Sequence, residues 1–460
     1  MSAGDSPSGS TVAEAEAFLA AHPEIVAFDL VLIDGNGIGR GKIVRRHELL
    51  AIYRNGRHLP GSVLGLDVTG EDVEETGLVW SDGDADRRAW PIPGSLVPLP
   101  WTSPPRGELR LGLYELDGAP MAADPRHALA RQEGAFRALG QQPVLAFELE
   151  FYLLDRERGA EGSLLPARLP VTGERPAAVQ VYGVDALDRL APFAEAVYRA
   201  AEAQDLPVET LVSEYAAGQY ELTLRHRADA LRAADDLVML KRLLRALAAR
   251  HGMVACFMAK PFAERAGSGM HLHASLAEDG RNLFADQGDG LAPPLRHAVA
   301  GLLETMPDSM LVLAPHLNSW RRFAARSYAP VAPSWGLNTR SVAVRIPAGD
   351  PGNRHLEHRV AGVDANPYLV AATVLAGMRR GIGRRADPGP QASGGEGYGA
   401  AEGAVPDWRA AIDAAERSDF LREALGPTLH RVLLAIKRAE YRRFAAEVTP
   451  LERDLYWETV

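Results

Sequence analysis

The chain has 460 residues, of which 47% are hydrophobic and 24% charged, and a formal net charge of −10. That length buries a sizeable core and allows roughly two to four domains, while the acidic balance excludes the basic face of a nucleic-acid binder. The single cysteine, Cys256, excludes an intrachain disulfide and any thiolate metal cluster.

Met1 to Thr11 is Ser/Gly-rich, without the basic-then-apolar pattern of a secretion signal. No apolar run is long enough to span a bilayer. A cytoplasmic protein with a disordered lead at 1–11 is expected. Thr11 and Glu14 form a capping-box pattern before a predicted helix over Val12 to Ala21, stopped near Pro23. An apolar run from Val26 to Ile33 follows, closed by Asp34-Gly35-Asn36-Gly37 and continued by Arg40-Gly41-Lys42, which reads as strand, turn, strand. Many prolines between Pro91 and Pro105 separate this β-rich unit from the rest, so a boundary is expected near 110–125, dividing the chain into 12–115 and 116–460. Beyond it helices and strands mix. Asp235 to Arg250 is an amphipathic helix with Leu237, Leu240, Leu244 and Leu247 on one face and Gly252 as its stop. Ala386 to Pro406 reads as a mobile surface loop, and the tail from Trp408 to Thr449 as helical.

Within this frame lie the residues that carry chemistry. In Phe147-Glu148-Leu149-Glu150-Phe151 the strand period of two puts both glutamates on one face, roughly 7 Å apart. Glu-x-Glu alone is more often a solvated strand face, but the neighbours here are bulky and apolar. Glu214 to Leu224 reads as two strands around a Gly-containing turn, and a tight hairpin would bring Glu214 and Glu221 together. Like charges so placed repel unless a cation lies between them, although two exposed hairpin glutamates are the simpler reading of this element by itself. Gly267-Ser268-Gly269 makes a loop that a ligand can approach closely. The strand after it projects His271 and His273 to one side, as ligands or as satisfied structural histidines. Arg340, Arg345, Arg354 and Arg359 surround Glu357; guanidinium forks bind phosphate and carboxylate bidentately, and a solvated basic face is the alternative. Many carboxylates, one or two imidazoles and no thiolate suit Mg²⁺ or Mn²⁺ better than zinc. Cations beside arginines are what phosphoryl transfer requires.

Taken in chain order, the block Phe147 to Phe151, Gly267 to Leu276, Asn318-Ser319-Trp320-Arg321-Arg322, Asn338-Thr339-Arg340-Ser341, Glu357-His358-Arg359 and Asp364-Ala365-Asn366-Pro367-Tyr368 resembles the glutamine synthetase superfamily, from about Ile25 to Glu452. The resemblance implies an α+β fold, with an N-terminal β-grasp domain and a larger catalytic domain whose antiparallel sheet is backed by helices. It implies active sites shared between neighbours of a ring oligomer, a dodecamer of two hexamers. It also implies ATP as co-substrate, two Mg²⁺ or Mn²⁺ ions per site, and glutamate plus a small amine as substrates. Carried over by motif, Glu148, His271 and Glu357 match the ligands of the metal nearer ATP. Glu150, Glu214 and Glu221 match those of the metal nearer glutamate. Gly267, Arg322 and Arg359 match glutamate contacts, Arg340 and Arg345 the arginines around the transferred phosphoryl group, and His273 and Ser275 the nucleotide side.

Two departures concern the amine. Where glutamine synthetases place a Glu before Ala-Pro, this chain has Tyr328, before Ala329-Pro330; where they place an Asp for ammonium, it has Pro60. The wording is closer to γ-glutamylpolyamine or γ-glutamylputrescine synthetases. The expected activity is therefore an ATP-dependent glutamate–amine ligase working through γ-glutamyl phosphate, with a polyamine such as putrescine favoured. The alternatives are glutamine synthetase using ammonia, a monoamine ligase, and a non-catalytic relative. Asp67, Glu71 and Asp72 are among the acids that could meet a distal ammonium, with nothing in the sequence to choose between them.

Overall fold

The computed structural model describes residues 6–286, 290–324, 327–330, 332–399 and 407–460. Two sheets organise it. The first has six strands: β1 (Ala27–Ile33), β2 (Gly39–Arg45), β3 (Arg57–Pro60), β4 (Asp86–Pro91), β5 (Val97–Leu99) and β6 (Arg106–Tyr114), in the order β2-β1-β6-β4-β3 with β5 also on β6. Strands β1 and β6 run parallel and the remaining pairs antiparallel, the twisted β-grasp arrangement. The β1–β2 turn is fixed locally: Asp34 Oδ1 accepts from the amides of Asn36 and Ile38, both at 2.9 Å, and Gly37 takes φ +74°, which favours glycine.

The second sheet has nine strands: β7 (Gln141–Asp155), β8 (Val208–Ser213), β9 (Gln219–Leu224), β10 (Met253–Cys256), β11 (Met270–Glu278), β12 (Arg281–Asn282), β13 (Trp335–Leu337), β14 (Val344–Ile346) and β15 (Leu356–His358). Its main path runs β13-β14-β15-β11-β7-β9-β8, antiparallel except for β13 with β14. One face buries Phe147, Leu149 and Phe151 against the helices Pro125–Arg137, Ala191–Ala203, Ala230–Arg250, Pro293–Leu313 and Pro367–Arg384. The last two of these cross on glycine: a Cβ on Gly301 would lie 2.1 Å from Gly377 O, so a side chain there would push the helices apart.

The predicted helices are present with different ends. The helix expected from Asp235 begins at Ala230, because the Asp229 side chain accepts from Arg232 N and caps it. Thr11 accepts from Glu14 N as predicted, but Glu14 does not complete the box; its carboxylate accepts instead from Tyr53 OH and Gly94 N. The tail is broken into Trp408–Arg417, Asp419–Leu425 and Pro427–Ala445, at Ser418, which caps, and at Gly426, with φ +79°. The lead is described from Ser6 on, where Ser8 donates to Pro91 O and Ser10 is buried; in the stretch expected to be a loop, residues 400–406 lie outside those described.

The helix Pro427–Ala445 holds the two sheets together, since Val432, Ala435 and Ile436 complete the core of the N-terminal sheet while Leu429, Leu433 and Leu434 join the core of the second. Beside them the buried Lys437 donates to Asn36 Oδ1 at 2.6 Å and to Glu440 Oε2 at 2.9 Å, while Glu440 Oε1 accepts from Val68 N at 3.1 Å. Glu440→Ala leaves the Lys437 ammonium buried without its carboxylate, and should cost about 3–5 kcal/mol of stability, measured by urea unfolding. A loss within the noise of a surface substitution would contradict this account of the clamp.

Candidate active site

Strand register brings the predicted residues into one row across the second sheet. Directly opposite one another are Glu150 and Glu221 on β7/β9, Glu148 and His271 on β7/β11, His273 and Glu357 on β11/β15, and Arg345 and Glu357 on β14/β15. The aromatic and aliphatic residues between them point into the core, so the charged row faces outward from the sheet. The hairpin differs from expectation. Glu221 faces Val212 in β8, and Glu214 lies in the turn, where its amide donates to Gln219 O. The carboxylate opposite Glu221 is that of Glu150, supplied by a strand distant in sequence.

His271 Nδ1 lies 3.0 Å from Glu148 Oε2 and 3.6 Å from Glu357 Oε1. His273 Nε2 is 3.0 Å from Glu148 Oε1 but out of line for a hydrogen bond, and its Nδ1 meets His355 Nε2 at 3.1 Å. Burial weighs against the Glu148 charge, yet the two imidazoles hold its carboxyl well below the usual range. Glu357 is likewise held down at about 2 against burial, chiefly by Arg359. The other half of the row has Arg340 against it, which does not offset burial and the neighbouring carboxylates. Burial and the Glu150 charge push Glu214 up to about 7, and burial with Glu148, Glu150 and Glu214 pushes Glu221 further up. Carboxylates crowded together with their charges unmet are a site that lacks positive charge, and an oxygen and imidazole donor set fits a hard divalent cation. Ligand atoms of Glu148, His273 and Glu357, and of Glu148, Glu221 and His271, lie within 4.8 Å of one another in each set. These sets share Glu148 and hold four of the six predicted ligands together with His273; Glu150 and Glu214 are in neither set.

The Gly267–Gly269 loop borders this row. Gly269 N donates to Glu150 Oε2 at 2.6 Å, and Gln219 Nε2 donates to Gly267 O at 2.9 Å. A Cβ on Gly267 would come within 2.6 Å of Arg322 Cγ, so glycine is what lets the buried arginine lie against the loop. Arg322 Nη1 donates to Val360 O at 3.1 Å. Arg359 is buried with its Nη1 on Glu357 Oε1, and Arg345 donates to Glu357 Oε2 at 2.8 Å and to Asn338 Oδ1 at 3.2 Å. Arg340 is exposed; part-burial weighs against its charge, and Tyr182, then Glu357, Glu148 and Glu221, hold it. Ser275 lies half-buried on the same face of β11 as the two histidines. Tyr328 is exposed, its ring edge-on to Tyr215 with centroids 6.3 Å apart, next to Glu214.

Pro60 ends β3, in the other sheet. Asp67 Oδ1 is committed to its own turn, accepting from Thr69 N, Thr69 Oγ1 and Glu71 N, while Asp67 Oδ2 lies 3.8 Å from Arg443; Glu71 is exposed and accepts from Arg443. Sequence reasoning missed His355, Gln219 and Tyr215. His355 lies two residues before Glu357, a spacing that could have placed it on the same side of the chain; nothing local marks Gln219, whose role comes from a loop 48 residues away.

These features have close counterparts in known proteins. A sequence profile described as the glutamine synthetase catalytic domain matches residues 122–456. The gamma-glutamylputrescine synthetase PuuA of Escherichia coli (strain K12) is 40% identical over 448 residues, covering 96% of this chain and 94% of its own. A glutamine synthetase of Mycolicibacterium smegmatis is 32% identical over 413 residues, covering 85% and 89%. The solved structure of a GmaS/ADP complex superposes with a TM-score of 0.82 at 29% identity, over 96% of this chain and 99% of that one. No helix among the described residues is long and apolar enough to cross a membrane. With this fold and this coverage, the chain belongs to the glutamine synthetase family and is a ligase of that family.

Proposed function

We propose that this enzyme joins glutamate to a primary amine, a polyamine such as putrescine, through γ-glutamyl phosphate, with ATP as the source of the phosphoryl group. The observation that carries the reading is an intact carboxylate–imidazole row beside a changed amine side, where Tyr328, its ring edge-on to Tyr215, stands in place of the expected ammonium-side carboxylate. Identity of 40% to a gamma-glutamylputrescine synthetase over nearly the whole chain supports it.

In this reading Glu148, His271 and Glu357, with His273, hold the cation nearer ATP, and Glu150, Glu214 and Glu221 hold the one nearer glutamate. When bound, two Mg²⁺ or Mn²⁺ ions supply charge neutralisation for the phosphates. Gly267, Arg322 and Arg359 seat glutamate. Its γ-carboxylate oxygen attacks the terminal phosphorus of ATP and ADP departs, with Arg340 and Arg345 stabilising the transferred group and His273 and Ser275 lining the nucleotide side. The amine nitrogen then attacks the acyl carbon, phosphate leaves, and the amine surrenders a proton. The tyrosine pair gives the amine's methylene stem an amphipathic wall. Phosphate release with glutamate, ATP and Mg²⁺ across ammonium, putrescine, spermidine, ethanolamine and methylamine tests the reading. Ammonium as the best nucleophile would overturn it.

The β-grasp unit around Arg40-Gly41-Lys42 completes a neighbour's site in this reading, so the enzyme is a ring, a dodecamer of two hexamers. Arg40 is held by Asp34 at 2.9 Å and by Asp67 O at 3.2 Å, a fixed presentation that suits such a role. Light scattering should report the assembly, and an active monomer would contradict it.

A further inference from the structure

Arg322 is buried, and burial weighs against its charge; the carboxylates that oppose this are those of Glu150 and Asp364. Glu150 faces Glu221 across the ladder and is read above as a cation ligand. A cation on Glu150 absorbs its charge, which leaves Asp364 as the compensating carboxylate behind the arginine. Nothing in the reaction scheme uses Asp364.

Its placement is specific. Asp364 Oδ2 accepts from Ser319 Oγ at 2.7 Å, with His316 Nδ1 at 3.7 Å, while Asp364 Oδ1 is buried without a hydrogen-bond partner. Ser319 is itself fixed, its Oγ accepting from His316 N at 3.0 Å. The residue before it is pinned: Val363 O accepts from the buried Lys241 at 2.5 Å, and Val363 N donates to Ser268 O at 3.1 Å, within the substrate loop. Gly362 lies between the two charges. A Cβ there would be 2.4 Å from Asp364 Oδ1 and 3.5 Å from Arg322 Nη1, so only glycine lets the carboxylate stand this close without a side chain wedged between. The carboxylate therefore acts on the arginine through space and makes no bond to it. A bidentate partner would have consumed the guanidinium fork, and no partner at all would leave a buried charge uncompensated.

We propose that Asp364 is a positioning residue of the glutamate subsite: it supplies a buried counter-charge behind Arg322 and, because it makes no bond to the guanidinium, leaves to the substrate carboxylate the N–H groups that Val360 O does not take. This rests on the reading of Arg322 as a glutamate contact.

The test uses the full-length enzyme with Mg²⁺, ATP and the best amine, comparing wild type with Asp364→Asn, which keeps the Ser319 hydrogen bond and removes the charge, and with Ser319→Ala, which keeps the charge and releases the carboxylate. Wild type must first show glutamate-dependent ADP formation; without it the proposed function fails, independently of Asp364. Asp364→Asn should raise KM for glutamate at least about tenfold, as a buried arginine losing its counter-charge predicts, with KM for ATP and the affinity for ADP unchanged. Ser319→Ala should move glutamate KM in the same direction by less, and it decides the matter if Asp364→Asn does not fold. An unchanged glutamate KM in a folded variant, or equal rises in both KM values, would overturn the proposal.

Discussion

Putrescine should be turned over with a kcat/KM ~10²–10⁴-fold above that of ammonium, the range set by a missing positioned base, and Tyr328→Glu should narrow that gap from both sides. The residue at 328 stands over Tyr215, directly after Glu214. A carboxylate there would add a charge that attracts ammonium and accepts its proton, and would remove the ring against which a methylene stem packs. The substitution therefore raises kcat/KM for ammonium and lowers it for putrescine. Full recovery of ammonium activity is not expected, because Pro60 remains where the second carboxylate would stand. Steady-state kinetics of both enzymes with both nucleophiles check this, and a Tyr328→Glu enzyme with an unaltered preference would remove the tyrosine from the specificity argument.

Glu150→Ala or Glu221→Ala should abolish ligase activity and leave a folded protein, and excess chelator should do the same to wild type. Stability carries the independent signature. Glu214 rises from an ordinary 4.5 to about 7, so between those values the native state keeps a proton that the unfolded chain has released. The contribution of Glu214 to the stability of the metal-free protein should therefore fall as pH rises from about 4.5 through about 7, with Glu221 extending the loss to higher pH, against the opposite contribution of His358, which burial holds down at about 4. Saturating Mg²⁺ should flatten that slope, and Glu221→Gln should reduce it without metal while leaving the enzyme inactive. Thermal melts in chelator and in Mg²⁺ across this range measure it. A Glu221→Gln protein whose metal-free slope matches that of wild type, or full activity in chelator, would sink the assignment.

Much of this was legible in the chain because it follows from short-range periodicity. Glu148 with Glu150, and His271 with His273, share a face by strand alternation alone, and the apolar residues between them announced a buried opposite side. The β1–β2 turn followed from Asp34-Gly35-Asn36-Gly37. Pairings that depend on which strands lie side by side were not legible: Glu221 opposite Glu150, His273 opposite Glu357, and the division of Glu148 between two sets of ligands. The break in the C-terminal helices was readable in Ser418 and Gly426-Pro427 but obscured by continuous helix-forming composition. Asp364 gave no local sign of its part, since its partners come from separate segments of the chain.

The outward-facing row is set by register, which gives β7 an unusual sensitivity to length. One residue inserted or deleted between Val144 and Phe147 would rotate Glu148 and Glu150 into the core and turn Phe147, Leu149 and Phe151 outward. A change of side chain at one of the apolar positions removes packing at one place; a change of length removes every ligand on the strand at once. Across descendants of this chain, the residue count from Val144 to Phe151 should therefore be held more tightly than the identity of any apolar residue within it.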